Sequence, residues 1–362
     1  MKKIVLTGGG TGGHIFPLVA VAEEIQKQSS EVQLHYIGPN HPLNVEFTKR
    51  NIETLSIVSS KLRRYFDWRN FTDIFKFLWS IFQSLAHIFY IQPDLVFSKG
   101  GPGALPVVLA ARCFFVPVVI HDSDAVPGLT NRLSAIFAKK IFIAWKNAEK
   151  YFPKNKTELI GNPIRADLLK DSTKPQHSSI LQNVRVSILV LGGSQGAACI
   201  NSFISAHLKE LLKLGSILHQ TGENNVGAII NYSASKNYHP VKFLDAAELK
   251  RALSKTNLVI SRAGASAIFE IAAFGKPSIL IPLEGAASNH QKANAYEYAA
   301  TGAAVVVEES DLNWQTMKTE IEKILKNGKI AKAMAKAAKS FSKHEAAEKI
   351  AKKLLNFGGL TS

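Results

Sequence analysis

Short apolar runs, each broken abruptly by glycine or a polar residue, alternate along this chain with longer stretches of helical periodicity. The first run, Ile4-Val5-Leu6, ends in Thr7 and a burst of glycines, then passes into "PLVAVAEEIQKQ", a helical pattern. Further runs lie in 32–38, 93–101, 117–124, 186–197, 216–222, 256–264 and 277–285. They are continuous rather than alternating, as suits parallel strands covered on both faces. Strands alternating with helices predict an α/β fold.

The plan occurs twice. "KIVLTGGGTGG" (3–13) has its counterpart in "VSILVLGGSQGA" (186–197), and "VQLHYIG" (32–38) in "SILHQTG" (216–222). "PDLVFSKGG" (93–101) is echoed by "TNLVISRAG" (256–264), and "PVVIHDSD" (117–124) by "PSILIPLEG" (277–285). The expectation is two Rossmann-like domains with parallel sheets facing each other across a cleft, divided as 1–163 and 164–340. The polar, proline-containing stretch 161–184 is the join. A length of 362 residues agrees with two cores rather than one. A single dehydrogenase-like chain would not need a second glycine-rich strand–loop–helix start. Loops after parallel strands lie at the carboxyl edge of the sheet, where open α/β folds bind ligands.

Gly8, Gly10 and Gly13 satisfy the dinucleotide fingerprint G-x-G-x-x-G. The next strand, however, ends "YIGPN" without the carboxylate that holds the ribose of NAD. His14 closes the loop at a helix start, where an imidazole either caps the helix or serves as a base near neutral pH. Composition changes little: 46% hydrophobic and 20% charged residues describe a soluble globular protein. Cys113 and Cys199, far apart in apolar surroundings, read as buried thiols. No secretory signal is visible, so a cytoplasmic location is expected. Charge matters more. Forty-four Lys+Arg against 28 Asp+Glu give a net +16, which favours phosphorylated substrates and anionic lipid. Much of the excess lies in 322–355, where solvated faces of amphipathic helices are the plainer account. Without an aromatic platform among those lysines, no nucleic-acid partner is expected.

Taken together, "GGGTGGHIFP", "HDSDAVPGLTN", "GNPIR", "GGSQGA", "HQTG" and "SRAGASAIFE", in this order, resemble the MurG family of bacterial N-acetylglucosaminyltransferases, over nearly the whole chain. The resemblance implies a GT-B fold, with the acceptor at the N-terminal domain and UDP-N-acetylglucosamine at the C-terminal one. A last helix, about 341–360, would pack back on the first domain. It implies inverting transfer to the undecaprenyl-linked peptidoglycan precursor, lipid I to lipid II. It implies no metal and no cofactor, a peripheral place at the cytoplasmic face of the membrane, and other cell-wall synthesis proteins as partners.

For the donor, backbone donors at 192–196, Ser194 and Gln195 form one phosphate turn, and Gly264, Ala265 and Ser266 open a second helix. Glu270, in the second turn of that helix, suits a bidentate contact to ribose hydroxyls, against the plainer account of an exposed glutamate. By resemblance Glu270 is the ribose ligand, Ser194 and Arg165 meet phosphate, and Leu244 lies against uracil. Thr11, Gly12, Gly13 and Asp124 also fall on donor positions. Arg165 suits the charge growing on leaving UDP, although an interdomain salt bridge would equally use an arginine. His290 and Gln291 stand where the family has two glutamines.

Candidate bases are His14, Asp122 and Asp124; the family often has Glu at the first aspartate and Asn at the second. Gly10, Gly100, Gly101 and Asn131 are assigned to the acceptor, with Lys99 as help to its pyrophosphate. The stretch 74–91 is apolar except for Lys76, Ser80, Gln83, Ser84 and His87, one polar stripe on a helix. Phe75, Trp79 and Phe82, with Lys61, Arg63, Arg64 and Arg69 upstream, form the expected membrane face, against the alternative of plain core. Other readings stay open: a transferase of the same fold with another donor or acceptor, a UDP-sugar epimerase, or a non-catalytic basic binder.

Overall fold

The computed structural model describes residues 2–59, 69–169, 186–193, 196–222, 236–285 and 289–357, with 69–71 as backbone only. The chain divides into two units, Met1–Arg165 with His344–Ser362, and Ala166–Lys343.

The first unit is built on strands β1 (Lys2–Thr7), β2 (Val32–Pro39), β3 (Glu53–Ile57), β4 (Leu95–Ser98), β5 (Val118–Asp122), β6 (Lys140–Ile143) and β7 (Thr157–Leu159). They form one parallel sheet in the order β3-β2-β1-β4-β5-β6-β7. Helices α1 (Gly12–Gln28), α2 (Val45–Thr48), α3 (Arg69–Ile91), α4 (Ala104–Cys113) and α5 (Leu129–Phe137) connect them. Side chains alternate across the strands, so Ile4, Leu6, Leu34 and Phe97 pack on one face with α1. Val5, Ile37, Val96 and Ile120 pack on the other with Ile88 of α3 and Val107 of α4. Both faces are covered, which explains the continuous apolar runs. The final helix of the chain, Ala346–Phe357, buries Ile350, Leu354 and Leu355 in the α1 layer, and its Lys353 pairs with Glu158 at 2.9 Å.

The second unit repeats the plan with β8 (Ile188–Leu191), β9 (Ile217–Gln220), β10 (Tyr238–Val241), β11 (Leu258–Ser261), β12 (Ser278–Leu280) and β13 (Ala304–Val306). Its parallel order is β10-β9-β8-β11-β12-β13. Around it lie α6 (Ala166–Leu169), α7 (Ala198–Ala206), α8 (Leu208–Leu214), α9 (Ala246–Lys255), α10 (Ala265–Ala273), α11 (His290–Ala299), α12 (Trp314–Lys326) and α13 (Gly328–Phe341); the closing helix of the first unit is α14. The start of α9 is written locally: Asp245 accepts from the Glu248 amide and Glu248 accepts from the Asp245 amide, a reciprocal cap. The doubled α/β plan read from the sequence is thus realised as two parallel sheets of Rossmann order.

One expectation is corrected. Cys113 is exposed, and Cys199 is half-buried and hydrogen-bonded rather than lost in an apolar core. α3 leaves Phe75, Trp79 and Phe82 exposed, as expected, and packs with the middle of its polar stripe: Ser80 and Ser84 are fully buried, and Gln83 Oε1 accepts the Val58 amide at 2.8 Å. Ser80 and Ser84 are small enough for close packing, and their hydroxyls bond the carbonyls of Phe77 and Ser80 on their own helix. Serine therefore buries without an unmet polar atom, and the large apolar residues are left outside.

Candidate active site

In each sheet the strand order reverses between two neighbours, β1 and β4 in the first, β8 and β11 in the second. The turns after those strands open a crevice at the carboxyl edge.

In the first unit both turns are glycine-rich and meet backbone to backbone. Gly9 and Gly10 follow β1 with φ of 140° and 94°; Gly101 follows β4 with φ of 94°. A Cβ on Gly101 would collide with the Gly9 carbonyl, and one on Gly100 with the Asn131 amide, so only glycine permits the approach. Tyr36, from β2, donates its hydroxyl to the Gly8 carbonyl at 2.5 Å and fixes the first turn from the side. α1 then starts behind its N-cap, Thr11, so Gly12, Gly13 and His14 form its first turn, where the helix end favours negative charge. His14 is half-buried, its Nδ1 3.1 Å from Thr11 Oγ1.

Behind these turns lies a buried polar cluster. Lys99 is 1% exposed; its Nζ donates to His121 Nδ1 at 2.8 Å, to Asn162 Oδ1 at 3.1 Å and to Ser123 Oγ. It therefore points into the fold, away from any ligand, which corrects its expected place on the acceptor's pyrophosphate. His121 Nε2 donates to the Gly161 carbonyl at 2.8 Å. Burial, followed by the nearby Lys99, holds that imidazole well below its usual range, so it is neutral. Burial pushes the Lys99 ammonium down to about 7, against the pull of Asp122 and Asp124. Asp122 ends β5 fully enclosed, its Oδ1 accepting the Asp124 amide at 2.9 Å and its Oδ2 the Asn131 amide at 2.7 Å. Burial, then the neighbouring Asp124, raises its carboxyl to about 6. Asp124 is the more accessible of the two aspartates. Asn131, in the first turn of α5, is joined to Asp122 as a buried bonder rather than a loop residue. Arg165 places its guanidinium 4.3 Å above the Phe16 ring.

The second unit repeats the two turns with different backing. Gly192, Gly193 and Gly196 frame the turn after β8; Ser194 and Gln195 lie outside the described residues. Gln220, at the end of β9, donates to the Gly193 carbonyl at 3.0 Å and accepts the Leu244 amide at 3.1 Å. It ties the buried Leu244 to the glycine turn after β8. Beneath it, neutral His219 bridges Tyr238 Oη and Asn201 Oδ1, each at 3.0 Å, with burial lowering its pKa to about 4. After β11, Gly264 caps α10, so Ala265 and Ser266 are its first residues and Glu270 lies half-buried in the next turn. Arg262 pairs with Glu309 and bonds Cys199 Sγ at 3.2 Å; burial, then the Glu309 contact, pushes that thiol up to about 11. His290 opens α11, and Gln291 accepts the Leu283 amide at 3.1 Å, so its amide nitrogen is the group it can offer a ligand.

Thus Gly10, Thr11, Gly12, Gly13, His14, Gly100, Gly101, Asp122, Asp124, Asn131 and Arg165 belong to the first unit, and Leu244, Gly264, Ala265, Ser266, Glu270, His290 and Gln291 to the second. Sequence reasoning missed Tyr36, Ser123, Asn162 and Gln220. Gln220, Ser123 and Asn162 shared one signal, since "HQTG", "HDSDAVPGLTN" and "GNPIR" carry part of the resemblance; Tyr36 acts through a tertiary contact that no local spacing announces.

α3 presents Ile74, Phe75, Leu78, Trp79, Phe82, Phe89 and Tyr90 outward, Phe82 at 65% exposure. Phe114 and Phe115, just past α4, extend this face, with the Phe89 and Phe114 rings 6.0 Å apart. Arg112 stands over Phe115 at 5.6 Å. Residues 72–91 are long and apolar enough to cross a membrane by length and composition alone. Lys61, Arg63 and Arg64 lie outside the described residues, as does the side chain of Arg69.

Comparison with known proteins agrees with this division. Residues 4–143 match the glycosyltransferase family 28 N-terminal domain and 187–353 its C-terminal domain. The UDP-N-acetylglucosamine–N-acetylmuramyl-(pentapeptide) pyrophosphoryl-undecaprenol N-acetylglucosamine transferase of Clostridium perfringens is 37% identical over 329 residues, 90% of each chain. A Bacillus cereus protein of the same name is 35% identical over 353 residues, 97% of this chain and 98% of that one. The crystal structure of Acinetobacter baumannii MurG superimposes with a TM-score of 0.75 at 27% identity, covering 98% of this chain and 100% of the other. A UDP-GlcNAc 2-epimerase from Neisseria meningitidis shares the fold, with a TM-score of 0.69 at 15% identity, covering 98% and 100%. Since both domain models match and such relatives align over nearly their full length, the chain belongs to glycosyltransferase family 28, within it to the MurG family, and has its GT-B fold.

Proposed function

We propose that this chain moves N-acetylglucosamine from UDP-N-acetylglucosamine to the 4-hydroxyl of the N-acetylmuramic acid in undecaprenyl-pyrophosphoryl-N-acetylmuramyl pentapeptide, inverting the anomeric centre. The observation that carries this reading is the paired glycine crevice at the switch point of each sheet, in a chain 37% identical to a transferase of that name.

The acceptor hydroxyl oxygen attacks the anomeric carbon on the face opposite UDP. The carbon–oxygen bond to UDP breaks, its electron pair leaves with the β-phosphate, and the hydroxyl proton passes to His14 Nε2. With Nδ1–H donating to Thr11 Oγ1, Nε2 carries the lone pair for that proton. Such a base contributes about 10²–10⁴-fold in rate. Asp124 is the alternative base; enclosed Asp122 positions Asn131 instead. The amides of Gly10 and Gly101 meet the acceptor's pyrophosphate, with Gly100, whose own amide donates to Ser98 Oγ at 3.2 Å, shaping the turn between them.

On the donor side, Arg165, steadied by Phe16, offsets the charge growing on UDP, with help from Thr11, Gly12, Gly13, Ser194 and Gln195. Glu270 accepts the ribose hydroxyls, Leu244 covers the uracil, Gly264, Ala265 and Ser266 supply a helix start, and His290 and Gln291 read the sugar.

α3 lies flat in the headgroup layer of the cytoplasmic membrane face, its aromatic side in lipid and basic side chains on anionic headgroups. Ser80, Ser84 and Ile88 pack on the body of the unit, an attachment that a crossing helix would forfeit.

Transfer of radiolabelled N-acetylglucosamine to a short-chain acceptor analogue tests the reading. Transfer that is lost in His14→Ala while UDP still binds supports it. A wild-type protein that binds UDP yet transfers nothing to this acceptor overturns its acceptor half.

A further inference from the structure

Four segments at the carboxyl edge of the first sheet converge on one side chain. Lys99 heads the turn after β4. Its ammonium bonds Ser123, in the loop after β5, and Asn162, past the end of β7. Its Cβ lies 3.2 Å from where a Cβ on Gly8, after β1, would stand. Trp145, past β6, adds a bond from Nε1 to the Ser123 carbonyl at 2.6 Å. Enclosing an ammonium is costly, and here its direct partners are neutral: an imidazole, a hydroxyl and an amide. An apolar residue of the same length would fill the space without that cost.

We infer that Lys99 is a positioning residue for the acceptor: it heads the turn that continues into Gly100 and Gly101, its enclosed ammonium locks the strand-end loops in register, and the fixed turn and its charge strengthen the grip on a pyrophosphate. This rests on the acceptor reading above. The titratable groups facing Lys99 are His121, Asp122 and Asp124, all from β5 and its loop; the β1 turn meets it with glycine and the segment past β7 with an amide. Bound anion favours the charged ammonium. The gain in acceptor affinity is therefore present below about 7 and fades as pH rises through it.

The test uses the full chain and a short-chain analogue of the lipid-linked acceptor, with binding and steady-state kinetics measured across pH. In Lys99→Met the acceptor KM should rise roughly tenfold below neutrality, with donor KM unchanged, and the weakening toward high pH should vanish. Ser123→Ala, which keeps the charge and removes one of the three Lys99 bonds together with the Ser123–Asn162 bond, should show a smaller rise and retain the pH dependence. Wild-type acceptor KM and pH profile in Lys99→Met would overturn the inference. If that variant does not fold, an unchanged acceptor KM in Ser123→Ala at every pH overturns it. A wild-type chain that binds the analogue without turnover would sink the transfer reading, while the binding comparison still decides the role of Lys99. Failure to bind the analogue at all would sink both.

Discussion

Lys99 and Arg262 occupy the same place in the two sheets, one residue past the strand beside the switch point. Arg262 is matched by Glu309, so the charge behind the second unit's glycine turn is balanced on the spot. Lys99 is held by neutral groups, and the aspartates act on it through space. The strand toward the outer edge tells the same story. Tyr36 of β2 and Gln220 of β9 each bond a carbonyl of the first glycine turn, yet only Gln220 also ties down a residue assigned to the base. Topology places a cation and a clamp behind both crevices. The partners then decide whether the charge reaches the ligand.

The sharpest way to separate the halves is by which kinetic constant moves. His14→Ala, at the first crevice, should lower kcat by about 10²–10⁴-fold and leave UDP affinity intact, as titration calorimetry against UDP would register. A fall in UDP affinity of comparable size would break the division of labour. Next in size, Glu270→Gln at the second crevice should weaken donor binding by about 1.5–3 kcal/mol, through loss of charge-assisted bonds to ribose. The acceptor KM should stay put.

How much of this could be read from the sequence differs by kind of contact. The doubled plan was visible because a doubly covered parallel strand needs an unbroken apolar run, and β1, β4, β8 and β11 each contain one. The glycine turns were visible because positive φ selects glycine, as at Gly10 and Gly101. Lys99 was misread as a ligand contact, since nothing in "SKGG" says that Ser123 and Asn162 wait inside the fold. The outward face of α3 was legible because periodicity gathers Phe75, Trp79 and Phe82 on one side, but nothing in the periodicity says that Ser80 and Ser84 fill the packed side. There serine goes in and tryptophan out.

That exposed apolar face belongs to the first unit. α12, in the second, follows the ordinary rule, with Met317, Ile321 and Ile324 buried. Phe82→Ser should therefore cut binding to anionic vesicles by roughly tenfold, the size expected for removing one large apolar side chain from lipid contact. Donor affinity should not change. Vesicle flotation at low and high salt would separate the apolar part from the basic part, and an unchanged partition at both would remove α3 from the membrane contact.

The smallest effect concerns stability, and there Asp122 should titrate against the buried histidines, His121 of the first unit and His219 of the second. Burial raises Asp122 from 3.8 to about 6, so between those values the folded protein holds a proton that the unfolded chain has released. Its contribution is fully present below 3.8 and is lost as pH rises through about 6. Burial lowers His219 from 6.5 to about 4, so its neutral bridge between Tyr238 and Asn201 contributes above 6.5 and is lost as pH falls through about 4. In the shared window the two slopes oppose, and the wild-type melting temperature changes less with pH than either group alone would require. Asp122→Asn keeps the side chain neutral and should expose the His219 slope, with stability rising steadily from pH 4 to 6.5. His219→Gln should flatten the rise toward neutral pH, leaving Asp122 opposed by His121 alone. Parallel curves for both variants would mean that these groups do not carry the pH response, and that the buried charge of the first unit is balanced more closely than its hydrogen bonds indicate.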